Sequence, residues 1–493
     1  MLFVSFPRQP SVPTARLCER ADRLATLARR CTVAASEQGV RGLLVLCSLA
    51  LLAAPVRAHG GPGIESGNVD TPTWLFLLTG GGVIAVSSLL TSFVTDRDLL
   101  TAYHEQRFAV PRSETVRRWG GRIGGVVGLL GLAGVLVVGV VGPPEAARNF
   151  AVLLVWVVWW AGFTASVYLV GNAWPALSPF GRLASLLPDG DAISLPDWVG
   201  RWPAVAGLLL LVWLEVVTEV AANPRQLAAV VGVYLVATGI GNALLGQSTW
   251  RRQIDPIAGV FELYGRMAPV QRTDDGLALA APGATLTETD ADATTRASEI
   301  GFVIALLWAT SFDGFVATPG WQSLAAPVVR LGLPAELVYF AALLVGYALF
   351  FGAYWGASKR VRTSGRTYRS ASSIAAAFAP ALIPIAAGYH FGHYMPYFLT
   401  QLPASVVVSL NPLSPPIAPP VLGLPGWISW LGPVSVLTGH LLAVWIAHTR
   451  AFELFTGRLQ PIRSQYPYVV VMVLYTISGL WLLAQPTIDV PFI

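Results

Sequence analysis

The sequence predicts an all-α fold, a polytopic bundle of about ten transmembrane helices that follows an N-terminal leader. Of its 493 residues, 54% are hydrophobic and 12% are charged, which is about half the charged share of a soluble domain. The mean hydropathy is +0.60, and the apolar residues form runs of about 20 residues, the length that a helix needs to cross a bilayer. This composition excludes soluble enzymes, disordered chains and fibrous proteins.

The first element is a leader at residues 1–58. Its short apolar run, 42–53, follows arginines and precedes the small-residue segment 54–58, the order found in secretory signal peptides. An uncleaved anchor helix is the alternative, because the basic region is long and the Ala-x-Ala pattern is imperfect. The leader also holds all of the cysteines (Cys18, Cys31 and Cys47), so disulfides and thiolate metal sites are not expected in the mature chain.

Ten apolar runs follow the leader within a single predicted membrane domain, 59–493. They lie at 73–94, 120–142, 150–171, 203–221, 227–246, 299–317, 335–356, 371–400, 427–449 and 466–485. Each has the length and composition of one membrane-spanning helix.

Lysine and arginine in the loops predict the orientation of these spans. With the mature N-terminus outside, 21 of the cations fall in inner loops and 3 in outer loops, as the positive-inside rule requires. The expected location is the plasma membrane, with lipid as the surrounding partner. The formal charge of +5 therefore reflects topology, and no nucleic-acid partner is expected.

Three connecting segments have their own character. Residues 250–268 read as an amphipathic interfacial helix. Residues 273–296 are acidic, rich in alanine and threonine and poor in aromatics, which predicts a disordered cytoplasmic loop. Residues 401–426 carry seven prolines and are expected to form an irregular outer segment.

Ionisable side chains within spans are costly to bury, so they mark candidate functional positions. Here they are Glu215, Glu219, Asp313, His390, His393, His440 and His448. The predicted orientation places the first five in the outer half of the membrane. His440, near mid-depth, can reach them from below.

His390 and His393 are three residues apart, so both imidazoles share one helix face with Cβ atoms about 5–6 Å apart. Two histidines and a carboxylate are the ligand set of catalytic zinc and non-haem iron sites. The expected metal is zinc, manganese or iron, and its expected ligands are His390, His393, His440 and Asp313. Asp313 and Glu215 are the expected catalytic carboxylates. The expected nucleophile is water bound to the metal, because such water in a dry cavity is reactive near neutral pH.

Simpler interpretations stay open for the same residues. Glu219 and His448, at span ends, are expected to contact interfacial water or backbone carbonyls. A buried pairing partner is the alternative for Asp313, and proton transfer is the alternative for Glu215. His104 lies in an arginine-rich loop and is expected to be solvated.

His59 is a separate, weaker candidate. If cleavage leaves this histidine first in the chain, its α-amine and imidazole can bind copper together. The following Gly-Gly-Pro-Gly is equally typical of a flexible tail.

The sequence resembles a family of prokaryotic polytopic membrane proteins described as fenitrothion hydrolase-like. The resemblance rests on short motifs: His59-Gly60-Gly61, Pro72-Thr73-Trp74-Leu75-Phe76, Gly171-Asn172-Ala173-Trp174-Pro175, Trp213-Leu214-Glu215, Phe312-Asp313-Gly314-Phe315, His393-Tyr394, Gly439-His440 and Ala447-His448-Thr449-Arg450. It implies a helical membrane fold and hydrolysis of an organophosphate ester.

Three functions follow as hypotheses. The first is a metal-dependent membrane enzyme, a hydrolase of a small-molecule substrate. The second is a transporter for a metal ion or small solute, with the same residues forming a transit site. The third is a haem- or quinone-linked electron carrier that uses His393, His440 and His448.

Overall fold

The structure is a computed structural model of the chain. It describes residues 73–111, 113–187, 190, 192–274, 276–287, 297–364, 367–486, 488 and 490–492. The predicted leader at 1–58 and the predicted copper ligand His59 lie outside the described residues.

Helices dominate the described residues and confirm the all-α fold class. The main ones are α1 (Thr73–Thr91), α2 (Arg97–Glu105), α3 (Ser113–Val141), α4 (Phe150–Leu169), α5 (Trp202–Val217), α6 (Pro224–Leu245), α7 (Pro256–Gly265), α8 (Ala297–Val316), α9 (Pro319–Arg330), α10 (Ala335–Ser364), α11 (Ala371–Leu410), α12 (Gly426–Leu454) and α13 (Leu459–Ala484). Short helical turns lie at Ala146–Arg148, Trp174–Leu177, Pro179–Ala184, Glu219–Ala221, Gln247–Thr249, Trp250–Ile254 and Ala284–Leu286.

Eight helices in the described part of the chain are long and apolar enough to cross a bilayer: α3, α4, α6, α8, α10, α11, α12 and α13. The count is therefore eight rather than the ten predicted. The predicted first and fourth spans are also apolar helices, Leu77–Thr91 within α1 and Trp202–Val217, but both are shorter. Helix α5 ends early because Thr218 adopts an extended conformation and its side chain caps the next turn.

The helix starts follow a local signal in the sequence. Helices α6, α7 and α9 each begin with proline, and the residues before them are Asn223, Asp255 and Thr318. Each of these three side chains accepts hydrogen bonds from backbone N–H groups of the first turn. Proline fits there because its missing N–H has no acceptor in the first turn of a helix.

A small sheet joins two loops that are far apart in the chain. Strand β1 (Arg107–Ala109) and strand β2 (Val270–Thr273) both pair antiparallel with β3 (Gly276–Ala280), which lies between them. The prediction of a disordered loop at 273–296 is therefore wrong for β3 and for the turn Ala284–Leu286. Two neighbouring strands satisfy the backbone of β3 on both sides, which composition alone does not reveal.

Two other connecting segments also differ from prediction. Residues 250–268 form helical turns and α7, whose Phe261 and Tyr264 are fully buried, so α7 packs inside the bundle rather than lying on a membrane surface. Helix α11 continues through Pro403 to Leu410, so the irregular proline-rich segment covers only residues 411–425.

Helices α8 and α11 form the centre of the bundle. In each of them, 78% of the most apolar window is buried, against 17% in α10. Asp313 lies on α8 and both His390 and His393 lie on α11. The two most buried spans thus carry three of the seven candidate ionisable residues.

Candidate functional site

Asp313 and His393 form a pair between the two central helices. Nε2 of His393 lies 3.4 Å from Oδ2 of Asp313, and the Tyr394 hydroxyl donates to the same oxygen over 3.3 Å. The side chains of His393 and Asp313 are 27% and 35% exposed, so the pair is only partly buried although its helices are central. A carboxylate beside a histidine within membrane-spanning helices is a candidate functional position.

Glu215 brings a second carboxylate to this pair. It lies on α5, close enough to Asp313 and Tyr394 for the charges to interact. Tyr389 lies on the other side of His393, with the two rings nearly parallel and their centroids 6.0 Å apart. Asp313, His393, Glu215, Tyr389 and Tyr394 are called the α8–α11 cluster below.

His390 has different polar partners from His393, although both rings pack against Tyr394. Its Nε2 lies 3.1 Å from the Trp160 carbonyl oxygen, and its Nδ1 lies 3.1 Å from the Tyr168 hydroxyl. A carbonyl only accepts, so Nε2 carries the hydrogen and Nδ1 accepts from Tyr168. Both ring nitrogens are therefore engaged, and His390 is completely buried. Neither ring nitrogen of His390 is free for a further ligand.

The partner of His390 lies on an unusual stretch of helix. Residues Leu153–Phe163 of α4 form a π-helix, a rare geometry that is frequent at functional sites. Trp160 belongs to it and packs edge-on against both His390 and Tyr394. A uniformly apolar run carries no periodicity signal that would have revealed this irregularity.

One member of the α8–α11 cluster, Glu215, lies on the wall of a cavity of about 420 Å³. Its wall is largely apolar and aromatic and includes Trp159, Trp160, Phe163 and Phe261, together with Glu215. An apolar cavity with a few polar groups at one wall is the usual form of a small-molecule site.

The other predicted histidines lie apart from this cluster. His440 is buried on α12, where Nδ1 bonds the Val436 carbonyl over 2.8 Å. Both nitrogens of His448 are engaged, by the Gln465 side chain and the Val94 carbonyl, which agrees with the simpler interpretation of this residue. A haem ligand needs a free ring nitrogen, so the electron-carrier hypothesis loses His448 as an axial ligand.

Two remaining residues have simple environments. Glu219 is exposed and bonds Asn223 one turn away. The prediction that His104 is solvated is wrong, because the side chain is only 5% exposed. It lies on the polar helix α2, which folds back against the bundle, and burial lowers its pKa to about 4.

The arrangement of possible ligand side chains can be compared with the predicted metal site. Among the described residues, no group of three or more His, Cys, Asp or Glu side chains is arranged to hold an ion. Asp313 and His393 are two neighbouring donors, whereas His390 is engaged at both nitrogens and His440 lies elsewhere. The four predicted ligands thus do not fit one ion in this arrangement.

Tyr389, Tyr394 and Trp160 were missed from the sequence. Aromatic side chains inside an apolar run look like core residues, and nothing in their spacing singles them out. The one available signal was that Tyr394 directly follows His393.

The sequence matches no protein-family model, no curated protein and no solved structure. The resemblance to fenitrothion hydrolase-like proteins therefore stays a prediction.

Proposed function

We propose that this multi-pass membrane protein is a hydrolase in which Asp313 and His393 perform acid–base catalysis on a small, largely apolar ester. One observation carries the proposal: a carboxylate lies 3.4 Å from one ring nitrogen of a histidine whose side chain is 27% exposed. Within the described part of the chain, no hydrogen bond engages the other nitrogen, Nδ1. A histidine oriented by a carboxylate and free on its far side is a general base.

The reaction follows from that arrangement. Asp313 favours the ring form with hydrogen on Nε2, which leaves the lone pair on Nδ1 to take a proton from a water molecule. The water oxygen bonds to the phosphorus or carbonyl carbon of the ester, and the bond to the leaving oxygen breaks. The imidazolium then returns its proton to that oxygen, while Asp313 stabilises its positive charge.

The 420 Å³ cavity supports the choice of substrate class. Its aromatic wall suits the apolar part of a neutral ester, and a neutral molecule pays little to enter a membrane interior. The family resemblance adds a phosphotriester as the first substrate to test. Glu215, at the same wall, is the second proton-exchanging group.

A divalent ion remains part of the proposal only if donors other than His390 and His440 complete its coordination. Asp313 and His393 would hold it, with water or substrate completing its coordination, and it would polarise the ester. Elemental analysis before and after incubation with zinc, manganese, iron or copper measures this directly. If the wild type binds an ion that His393→Gln does not bind, we would conclude that the metal assists the acid–base step.

Turnover by protein in lipid nanodiscs tests the proposal. Suitable probes are diethyl 4-nitrophenyl phosphate and 4-nitrophenyl butyrate, which release the same coloured product. We expect His393→Gln and Asp313→Asn to lower kcat by about 100-fold or more, the usual contribution of a general base. Tyr397→Phe, a more exposed tyrosine on the same helix, should leave kcat unchanged. Absence of turnover by the wild type, or equal turnover by His393→Gln, would contradict the proposal.

Proton-linked transport is the second candidate, because two carboxylates within electrostatic range are typical of intramembrane proton relays. Proteoliposomes containing a pH-sensitive dye distinguish the two. Proton movement upon addition of Zn²⁺ or Mn²⁺, abolished in Glu215→Gln, would favour transport. No such movement, together with ester turnover, would favour hydrolysis.

A further inference from the structure

A second and larger cavity, of about 780 Å³, has Tyr389 on its wall. Helices α8, α10, α12 and α13 supply most of its wall, which is almost entirely apolar. Its size falls within the range of small-molecule sites, about 300–1,000 Å³. It is called the large cavity below.

Most polar groups on the wall of the large cavity donate their hydrogens to backbone carbonyls. The Ser311 hydroxyl donates to the Leu307 carbonyl, and the Tyr475 hydroxyl donates to the Phe350 carbonyl. Trp308 donates its indole N–H to the Leu343 carbonyl. These side chains can accept a hydrogen bond or pack against a ligand, but their donors are already used.

His440 and Trp321 differ from the other polar groups on this wall, because each has a buried nitrogen without a partner among the described residues, an N–H donor on Trp321 and an acceptor on His440. Nδ1 of His440 lies 2.8 Å from the Val436 carbonyl, so Nδ1 carries the hydrogen and the lone pair of the neutral ring lies on Nε2. His440 is 1% exposed, and Nε2 has no hydrogen-bond partner among the described residues. A buried acceptor without a donor is unfavourable, and native structures rarely retain one without a reason.

We propose that the large cavity binds a lipophilic molecule that carries a hydroxyl group, and that this hydroxyl donates its hydrogen to Nε2 of His440. The apolar wall accommodates the body of the ligand, and the histidine selects its polar end. A plain acyl chain would fill the same space but would leave Nε2 unpaired. The site goes beyond the hydrolase proposal, because it involves neither His393 nor Asp313.

The hydroxyl has two chemical sources, a phenol or an aliphatic alcohol. Phenols are the stronger donors, whereas alcohols with a long chain follow the shape of an apolar cavity. The probes are therefore 4-nonylphenol, 1-dodecanol and, as the control without a donor, 4-nonylanisole.

Binding to protein in nanodiscs tests the inference. Trp308 and Trp321 line the large cavity, so an occupant should change tryptophan emission, with empty nanodiscs correcting for partition into lipid. We expect 4-nonylphenol to bind about tenfold more tightly than 4-nonylanisole, as one added hydrogen bond to a buried acceptor allows. Tighter binding of 1-dodecanol than of the phenol would support the inference with an aliphatic ligand.

Two variants test separately the hydrogen-bond acceptor of His440 and the volume of the large cavity. His440→Leu should remove the preference for a hydroxyl while the ether still binds. Ala342→Phe places a larger side chain on the wall and should weaken all probes about tenfold or more. Equal affinity of wild type for phenol and ether, an unchanged preference in His440→Leu, or unchanged binding in Ala342→Phe would each overturn the inference. Because Ala342→Phe leaves His440 intact, misfolding of the histidine variant does not remove the test.

Discussion

Two hydrogen bonds hold the ring of His390 between helices α4 and α11. Tyr168 donates to one nitrogen, and the Trp160 carbonyl accepts from the other. His393, one turn further, is paired with Asp313 instead. Identical side chains on one helix face thus have different chemistry, because neighbouring helices determine which nitrogen atoms are free.

Removing the Tyr168 hydroxyl tests the role of His390. In Tyr168→Phe, Nδ1 of His390 becomes a buried acceptor without a donor, so we expect the free energy of unfolding to fall by about 1–3 kcal/mol. Denaturant unfolding in detergent measures this. Tyr466→Phe is the matched control, because Tyr466 is exposed, and it should change little. Equal stability of the two variants would show that the Tyr168–His390 bond contributes nothing.

His104 predicts a pH dependence outside the membrane-spanning helices. Burial, with a smaller effect of the positive charge on Arg450, lowers its pKa from 6.5 to about 4. Between these values the unfolded chain binds a proton that the folded chain does not, so stability falls as the pH drops from 6.5 towards 4.

The His104 dependence is measured by comparing thermal unfolding at pH 7 and pH 5. We expect the wild type to lose more stability on acidification than His104→Gln, whose side chain does not titrate. If both proteins lose the same amount of stability, the imidazole of His104 is already protonated or accessible in the folded state.

At the scale of elements, α11 and α12 approach each other through glycine. A Cβ added at Gly388 would overlap the Ser435 carbonyl, and one at Gly439 would overlap the Pro384 carbonyl. Gly392 and Gly432 touch at the same crossing. This close contact places the helix of His393 against the helix of His440.

Gly439→Ala should therefore destabilise the protein. Its methyl group has to displace backbone rather than a side chain, so we expect a loss of about 1–3 kcal/mol. The control is Gly356→Ala on α10, where an added Cβ meets nothing within 4 Å. That change should be neutral or stabilising, because alanine favours helix over glycine. Destabilisation of both variants by the same amount would contradict the packing argument.

The sequence predicted where the helices lie in the chain, but not the long-range contacts between elements. All ten apolar runs form helices, because composition within a run is local information. Strand β3 was missed, since its partner β1 lies far away in the chain. The proximity of Glu215 to Asp313 was anticipated from their shared depth in the membrane and their joint catalytic role. The different partners of His390 and His393, in contrast, depend on residues of α4 that no spacing reveals.

At the scale of the molecule, orientation in the membrane is the main open prediction. The arginine and lysine distribution predicts that the loop before α11 lies inside and that the proline-rich segment after it lies outside. Two exposed residues report on these regions, Tyr368 and Ile417.

Cysteine labelling tests the orientation. Serine replaces Cys18, Cys31 and Cys47, and a single cysteine is introduced as Tyr368→Cys or Ile417→Cys. We expect a membrane-impermeant maleimide to label Ile417→Cys on intact cells and Tyr368→Cys only after lysis. The reverse pattern would invert the orientation, and labelling of both on intact cells would show that α11 does not cross the membrane.

The small sheet also has a consequence for how the chain is made. Strand β1 leaves the ribosome before β3, and at about 5–20 residues per second the roughly 170 residues between them take on the order of ten seconds or longer. Throughout that interval the first loop has no partner strand, and several spans have to insert before it finds one. The sheet therefore closes only once the chain has been made through Ala280, and it fastens the early helices to the middle of the chain after those helices have entered the membrane.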